Sequence, residues 1–331
     1  MTAVMRAIRC ETFGKIDDIG IAEIATPGIS DSGQVLIDVA AAGVNFADTL
    51  MIGGTYQATP PPPFTPGLEL AGTVRTIGGA VSRVKPGDRV LAVVDSGAFA
   101  QQAVARDADV FPIPPGMDFA AAAGFAIAYG TSHGALRWRA DLQPGEVLLV
   151  HGAAGGVGLT AVEIGKAMGA MVIATAGDDE KLKIAADHGA DHLINYKTES
   201  IRDRVKAICG GRGADVVFDP VGGSAFDASL RAVNWNARLI HVGFASGQVP
   251  QVPANILLVK NIAAIGFYWG SYRKHRPEWL EPEFRELFQW WREGKLKPHV
   301  SHRLPLEEAA RALGLLLDRR STGKVVLTMP A

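Results

Sequence analysis

The stretch Val147-Leu-Leu-Val-His-Gly-Ala-Ala-Gly-Gly-Val-Gly158 decides the reading of this chain. Val147–Val150 is apolar without alternation, as a strand buried on both faces must be. A glycine-rich turn follows, and Leu159–Met168 then repeats its apolar residues at helical spacing. Strand, glycine loop and helix in that order form the context of a dinucleotide-binding fingerprint. Gly155 and Gly158 take the second and third positions of G-x-G-x-x-G, and Ala153 stands where the first glycine would be. Gly155 lets the backbone approach a pyrophosphate, and Gly158 lets the helix pack closely on the strand. Gly156 and Val157 complete the loop as further cofactor-binding positions before the helix, whose free N–H groups and positive dipole end suit an anion. A turn kept for packing alone is the competing reading, and the surrounding pattern weighs against it.

Downstream, apolar runs alternate with helical segments. Strands are expected at Met171–Thr175, His192–Asn195, Val216–Asp219, Arg238–Val242 and Ile262–Phe267. Helices are expected at Glu180–His188, Ile201–Cys209 and Ala225–Val233. Six such strands describe a doubly wound parallel sheet. The tip of the second strand tells NAD from NADP. It reads Thr175-Ala176-Gly177, with no carboxylate at the place where an NAD site holds one. Asp178 and Asp179 come only afterwards, and Lys181 follows in the first helical turn. Lys181 also suits a solvated helix face, so the missing acid, more than the lysine, favours NADP. Tyr196 ends the third strand near the same edge, and Arg319 or Arg320 can converge there.

Before this region the texture is different. Gln34–Val39, Leu70–Ile77 and Arg89–Val94 are short strands bounded by Gly, Pro or Asp, which suggests a compact β-rich domain. The prolines at 60–63 and 66 make an extended connection. Beyond Gly270, amphipathic helices at Glu283–Trp291 and Leu306–Asp318 and a strand at Lys324–Thr328 are too little for a domain of their own. The expected division is therefore 1–124 with 271–331 as one discontinuous domain, and 125–270 as the other.

Composition narrows the function. The 331 residues suit two domains, and 48% hydrophobic with 20% charged residues is ordinary for a globular chain. Lys and Arg number 33 against 34 Asp and Glu, so no basic surplus exists for a nucleic acid. Cys10 and Cys209 are the only cysteines, which excludes a disulfide scaffold or a four-cysteine metal site. The uncharged stretch Phe119–Leu136 reads as a buried helix and a turn, not a membrane span. With no apolar leader after Met1, a cytoplasmic location is expected. No tyrosine has Lys four residues later, as a short-chain dehydrogenase needs, and no Walker lysine occurs. The eight histidines are scattered without metal spacing.

Further segments are Gly43-Val-Asn-Phe-Ala-Asp48, Pro66-Gly-Leu-Glu-Leu-Ala-Gly72, Val84-Lys-Pro-Gly-Asp-Arg-Val90, Asn195-Tyr-Lys197 and Thr322-Gly-Lys-Val-Val326. With the glycine loop, they make the chain resemble the medium-chain dehydrogenase/reductase superfamily over essentially its whole length. Within it the chain is similar to the zinc-free, zeta-crystallin-like quinone oxidoreductase branch. The resemblance implies a GroES-like catalytic domain built from both chain ends, an inserted Rossmann domain and an active site in the cleft between them. Zinc-dependent members place a Cys ligand where this chain has Asn45 and a His ligand where it has Leu68, so zinc is not expected.

The resemblance further implies that Asn45, Tyr56 and Thr131 line the nicotinamide and substrate region, and that Gly177, Lys181, Tyr196 and Arg319 hold the 2′-phosphate of NADPH. Asp48 and Glu69 sit at recurrent motif positions, where capping or anchoring a loop explains them as well as substrate contact does. The aromatic segment Gly266-Phe-Tyr-Trp-Gly-Ser-Tyr272 reads either as packing or as a pocket wall. The activity implied is direct hydride transfer from NADPH to a quinone or an enone, in a homodimer joined at the edge strand Ile262–Phe267. Two alternatives stay open. One is an enoyl-thioester reductase using the basic run Arg273–Arg276, which also suits a solvated turn. The other is an NADPH-binding structural or regulatory protein with little turnover.

Overall fold

The computed structural model describes residues 3–329. Its N-terminal elements are β1 (Val4–Arg9), β2 (Gly20–Ala25), β3 (Gln34–Val44), α1 (Phe46–Ile52), β4 (Glu69–Ile77), β5 (Arg89–Val93), β6 (Gln102–Arg106), β7 (Val110–Pro112), α2 (Phe119–Ala123) and α3 (Ala126–Gly134). Regular alternation follows: β8 (Val147–Val150), α4 (Gly156–Ala167), β9 (Met171–Ala176), α5 (Asp179–Asp187), β10 (His192–Asn195), α6 (Ile201–Ile208), β11 (Ala214–Asp219), α7 (Ser224–Ala232), β12 (Val233–His241), α8 (Ala254–Lys260) and β13 (Ala263–Gly266). The last elements are α9 (Tyr272–His275), α10 (Leu280–Arg292), β14 (Val300–Pro305), α11 (Ala309–Leu317) and β15 (Lys324–Thr328).

Two compact units result, Met1–Ile127 with Pro298–Ala331, and Ala128–Lys297. In the first, a mostly antiparallel sheet runs β14-β15-β3-β4-β5-β7, and β6 also pairs β3. β1 and β2 form a separate ribbon. The bulk of the core comes from alternate residues such as Val35, Ile37, Leu70, Val90 and Val325, joined by Met51, Phe99 and Leu313. This is the GroES-like, β-rich unit built from both chain ends.

The second unit holds six parallel strands in the order β10-β9-β8-β11-β12-β13, so the chain winds outward both ways from β8. That is the doubly wound order, with its switch point between β8 and β11. The apolar runs form strands because both faces are covered: Leu149, Ile173, Val217 and Leu239 are all 0% exposed. Asp178 and Ser200 cap α5 and α6 by accepting from Lys181 N and Asp203 N.

Three expectations change. The second boundary lies at 297/298, not 270/271, so residues 271–297 belong to the parallel-sheet unit. Helix α10 is the reason: Leu280, Phe284 and Leu287 are buried, and the Phe284 ring packs 6.3 Å from Trp269 in a T-shape. Its Glu283 also accepts from Trp269 Nε1 at 3.0 Å and meets His133 Nδ1 at 3.1 Å. Second, β13 is a strand of four residues rather than the longer run 262–267; the left-handed Asn261, with φ +53°, ends α8 immediately before Ile262. Third, Phe119–Leu136 makes two helices separated at Gly124–Phe125, the second continuing as a π-helical turn over Ala135–Arg139. Among the described residues no helix is long and apolar enough to cross a membrane.

Candidate active site

The glycine loop lies at the carboxyl end of β8, beside the switch point. The sharp turn falls on Gly152, with φ +57°, one residue before the aligned first position. Ala153 therefore needs no special backbone; it is fully buried and donates N–H to Thr175 O at 3.1 Å. At Gly158 a Cβ would come 2.1 Å from Gly152 O, so close packing forbids any side chain there. Gly155 is different: it is exposed, and an added Cβ would meet only Gly152 O, at 3.3 Å. Its lack of a side chain leaves room for a ligand. Gly156 and Val157, half-buried, begin the twelve-residue helix α4. His151, just before the loop, bridges Thr175 Oγ1 at 2.9 Å and Ser229 Oγ at 2.7 Å. Burial lowers its pKa, so a neutral ring holds the ends of β8 and β9 to α7.

The tip of β9 is crowded by the turn after β10. A Cβ on Gly177 would lie 2.7 Å from the Tyr196 hydroxyl and 3.3 Å from Lys197 Cε. Asn195 sets this turn, accepting from Lys197 N at 3.1 Å and donating to Asp179 Oδ1 at 2.8 Å. Tyr196 stays 46% exposed over the glycine. Lys181 sits in the first turn of α5, 3.5 Å from Asp178 Oδ2. Asp178 is the acid nearest the strand tip, and its other oxygen is engaged as the helix cap. Sequence reading passed over Lys197 as a site residue, although it closes the quoted segment Asn195-Tyr-Lys197. Arg319 lies in the first unit, just past α11 at φ +56°.

Thr131 is half-buried on α3. Its neighbour Ser132, fully buried, donates to Val157 O at 2.8 Å and lies 2.8 Å from Thr160 Oγ1. Two hydroxyls thus tie the helix carrying Thr131 to the first turn of α4. Neither Ser132 nor Thr160 stood out in the sequence, since small hydroxyls on helices carry no pattern.

In the first unit, three strands bring charge together. β15 pairs antiparallel with β3, Val325 opposite Val44, and β3 pairs with β4, Gly43 opposite Glu69. Lys324 thereby reaches Asn45 and Glu69. Its Nζ donates to Asn45 Oδ1 at 2.6 Å and to Val44 O at 2.8 Å, and lies 2.9 Å from Glu69 Oε1. Asn45 Nδ2 donates to the same Glu69 oxygen at 3.0 Å. Glu69 Oε2 accepts from Ile127 N at 2.9 Å, so its anchoring role is realised. Gly43 has to be glycine, because a Cβ would stand 2.5 Å from Glu69 Oε1.

Asp48 closes a capping box on α1, accepting from Asn45 N at 2.7 Å. It is fully buried, and among the described residues its Oδ1 finds no hydrogen bond of ordinary geometry. Burial pushes its pKa up to about 7, against hydrogen bonding from Asn45 N–H and the nearby Lys324 charge. Tyr56 follows α1, half-buried against the same core. In the second unit, Phe267 and Trp269 of the aromatic segment are buried, and Tyr272 packs 5.0 Å from Trp138. Packing accounts for these rings, and Tyr268 is 44% exposed.

Known proteins match this arrangement along its length. Residues 31–115 match the alcohol dehydrogenase GroES-like domain family, and residues 156–290 the zinc-binding dehydrogenase family. The quinone oxidoreductase-like protein 2 homolog of Nematostella vectensis is 41% identical over 328 residues, covering 97% of this chain and 88% of that protein. Quinone oxidoreductase of Rattus norvegicus is 33% identical over 329 residues, covering 98% of each. The crystal structure of Escherichia coli quinone oxidoreductase complexed with NADPH superposes with a TM-score of 0.91 at 31% identity, covering 98% of this chain and 99% of that one. The chain belongs to the quinone oxidoreductase family of the medium-chain dehydrogenase/reductase superfamily.

Proposed function

We propose that this protein is an NADPH-dependent oxidoreductase that reduces quinones or the activated C=C bonds of α,β-unsaturated carbonyls without zinc. The observation that carries the reading is the paired cradle at the sheet's carboxyl edge: an exposed Gly155 before the α4 N-terminus, and Gly177 beneath Tyr196 and Lys197. A dinucleotide fits it. The N–H groups of Gly156 and Val157 would hold the pyrophosphate. Lys181, Tyr196 and Lys197 would hold the 2′-phosphate, with Arg319 as a further cation, and Thr131 would hold the nicotinamide. When bound, the reduced nicotinamide supplies a hydride.

The chain's own task is to take up the negative charge that then develops on the substrate oxygen. Asn45 and Tyr56 are the proposed hydrogen-bond donors, and water delivers the remaining proton. Rate then comes chiefly from orientation and exclusion of water. Zinc does not fit the residues at this point. Lys324 engages the oxygens Asn45 Oδ1 and Glu69 Oε1, Leu68 offers no ligand, and among the described residues no three His, Cys, Asp or Glu side chains gather as a metal group.

The test is steady-state NADPH oxidation with a quinone, an enone and an enoyl thioester. Turnover confined to the enoyl thioester would transfer the reading to an enoyl-thioester reductase. No turnover with any of the three, despite NADPH binding, would leave a structural or regulatory role.

A further inference from the structure

Lys324 holds its ammonium in the first unit with the side chain 10% exposed. An ammonium has three N–H donors and no acceptor. Val44 O, Asn45 Oδ1 and Glu69 Oε1 take one each, so none remains for a ligand. Glu69, whose side chain is fully buried, is equally committed, to Lys324 and Asn45 through Oε1 and to Ile127 N through Oε2.

The consequence falls on the Asn45 carboxamide. Its oxygen faces a cation and its nitrogen faces a carboxylate. Turning the amide over would set its NH2 against the ammonium and its oxygen against Glu69, two repulsive contacts in place of two charge-assisted bonds. The amide oxygen, which can accept twice, is therefore taken up by Lys324 and by the Asp48 N–H of the capping box. Of the two N–H groups, one goes to Glu69 at 3.0 Å, while the other has only a 3.4 Å contact to Gly43 O. That contact lies beyond the usual hydrogen-bond range. The loosely held N–H is the one polar group Asn45 has left to give.

We propose that Lys324 is a positioning residue: with Glu69 it locks the Asn45 carboxamide so that the site offers a hydrogen-bond donor, never an acceptor, to the oxygen of a quinone or carbonyl substrate. The consequence for substrate choice rests on the proposed function. The lock itself does not.

Two measurements decide it. The first is the side-chain amide of Asn45, followed by NMR with asparagine-specific ¹⁵N labelling. In the wild type the amide proton it gives to Glu69 should exchange with water at least about tenfold more slowly than those of a surface asparagine, as an engaged amide does. Lys324→Met should remove this protection, and Lys324→Arg, which keeps a cation with several donors, should retain most of it. The second is turnover of 1,4-benzoquinone with NADPH. Lys324→Met should lower kcat about 10-fold to 100-fold, with the NADPH dissociation constant within about twofold of wild type, and Lys324→Arg should restore most of kcat.

Wild-type Asn45 protons that exchange as fast as a surface amide overturn the lock, and so does full protection in Lys324→Met. An unchanged kcat in Lys324→Met overturns its catalytic consequence. Should Lys324→Met fail to fold, wild-type exchange and the Lys324→Arg variant still decide. A wild type inactive with quinones and enones would sink the functional reading, while the amide measurement would still decide the lock.

Discussion

Lys324 Nζ lies 2.6 Å from Asn45 Oδ1, across 279 residues of sequence. Neither residue alone suggests the other. The pair exists because β15 closes on β3 with Val325 opposite Val44, which sets the next residue of each strand end side by side. A residue proposed to act on substrate is thus held by the far end of the chain.

The setting of Gly177 bears on cofactor choice. NADPH is expected to bind at least about tenfold tighter than NADH, since a charge-assisted contact to the 2′-phosphate is worth ~1.5–3 kcal/mol. Lys181→Ala and Lys197→Ala should each narrow that preference. Dissociation constants from NAD(P)H fluorescence check it, and equal wild-type affinities for the two cofactors would sink it.

Metal independence is expected from the engagement of Asn45 Oδ1 and Glu69 Oε1 by Lys324. Quinone reduction should survive exhaustive chelation, and elemental analysis should return no stoichiometric zinc. One zinc per chain, removed with loss of activity, is the contrary result.

Asp48 makes stability depend on pH. Its pKa is about 7 in the folded protein against an ordinary 3.8, so the folded state keeps a proton that the unfolded chain has lost. Stability should therefore fall as pH rises from about 4 to about 7, by up to ~1.4 kcal/mol per pH unit, and level off above. Asp48→Asn keeps an acceptor for Asn45 N–H and should flatten that slope. Urea unfolding of both proteins between pH 5 and pH 8 measures it; identical pH dependence would count against the assignment.

Tyr56 is half-buried against the core and donates, on this reading, one of two hydrogen bonds to the substrate oxygen. Tyr56→Phe should slow single-turnover hydride transfer ~10-fold to ~100-fold and leave a residual rate with a primary isotope effect from NADPH deuterated at C4. Complete loss of turnover with intact NADPH binding would make Tyr56 an essential acid instead.

The edge of the parallel sheet invites assembly. Among the described residues β13 pairs only with β12, and on the preceding helix Leu258 and Val259 are each 78% exposed. An open edge beside exposed aliphatic side chains is expected to join its two-fold copy. Sedimentation at micromolar concentration should show a dimer, and Leu258→Lys with Val259→Lys should shift it toward monomer. A wild type that sediments as a monomer would refute it.

Much of the fold is legible from local pattern. The strands His192–Asn195 and Lys324–Thr328 have the bounds expected from sequence. The six-strand alternation and the glycine loop also stand where periodicity put them, because a strand buried on both faces must be apolar throughout and a tight helix–strand junction must lack a Cβ. The missing acid at Gly177 is equally a sequence fact. The rest depended on what meets what. The aromatic segment at 266–272 proved to be mainly packing because Trp138 lies beneath it, and residues 271–297 joined the parallel-sheet unit because Glu283 found His133 and Trp269. Tertiary structure alone placed Lys197 beside Gly177, Ser132 against Val157 and Lys324 on Asn45. The last two are polar contacts made by helix packing or register between distant segments, and a hydrogen bond of about 3 Å leaves no periodicity in a sequence to announce it.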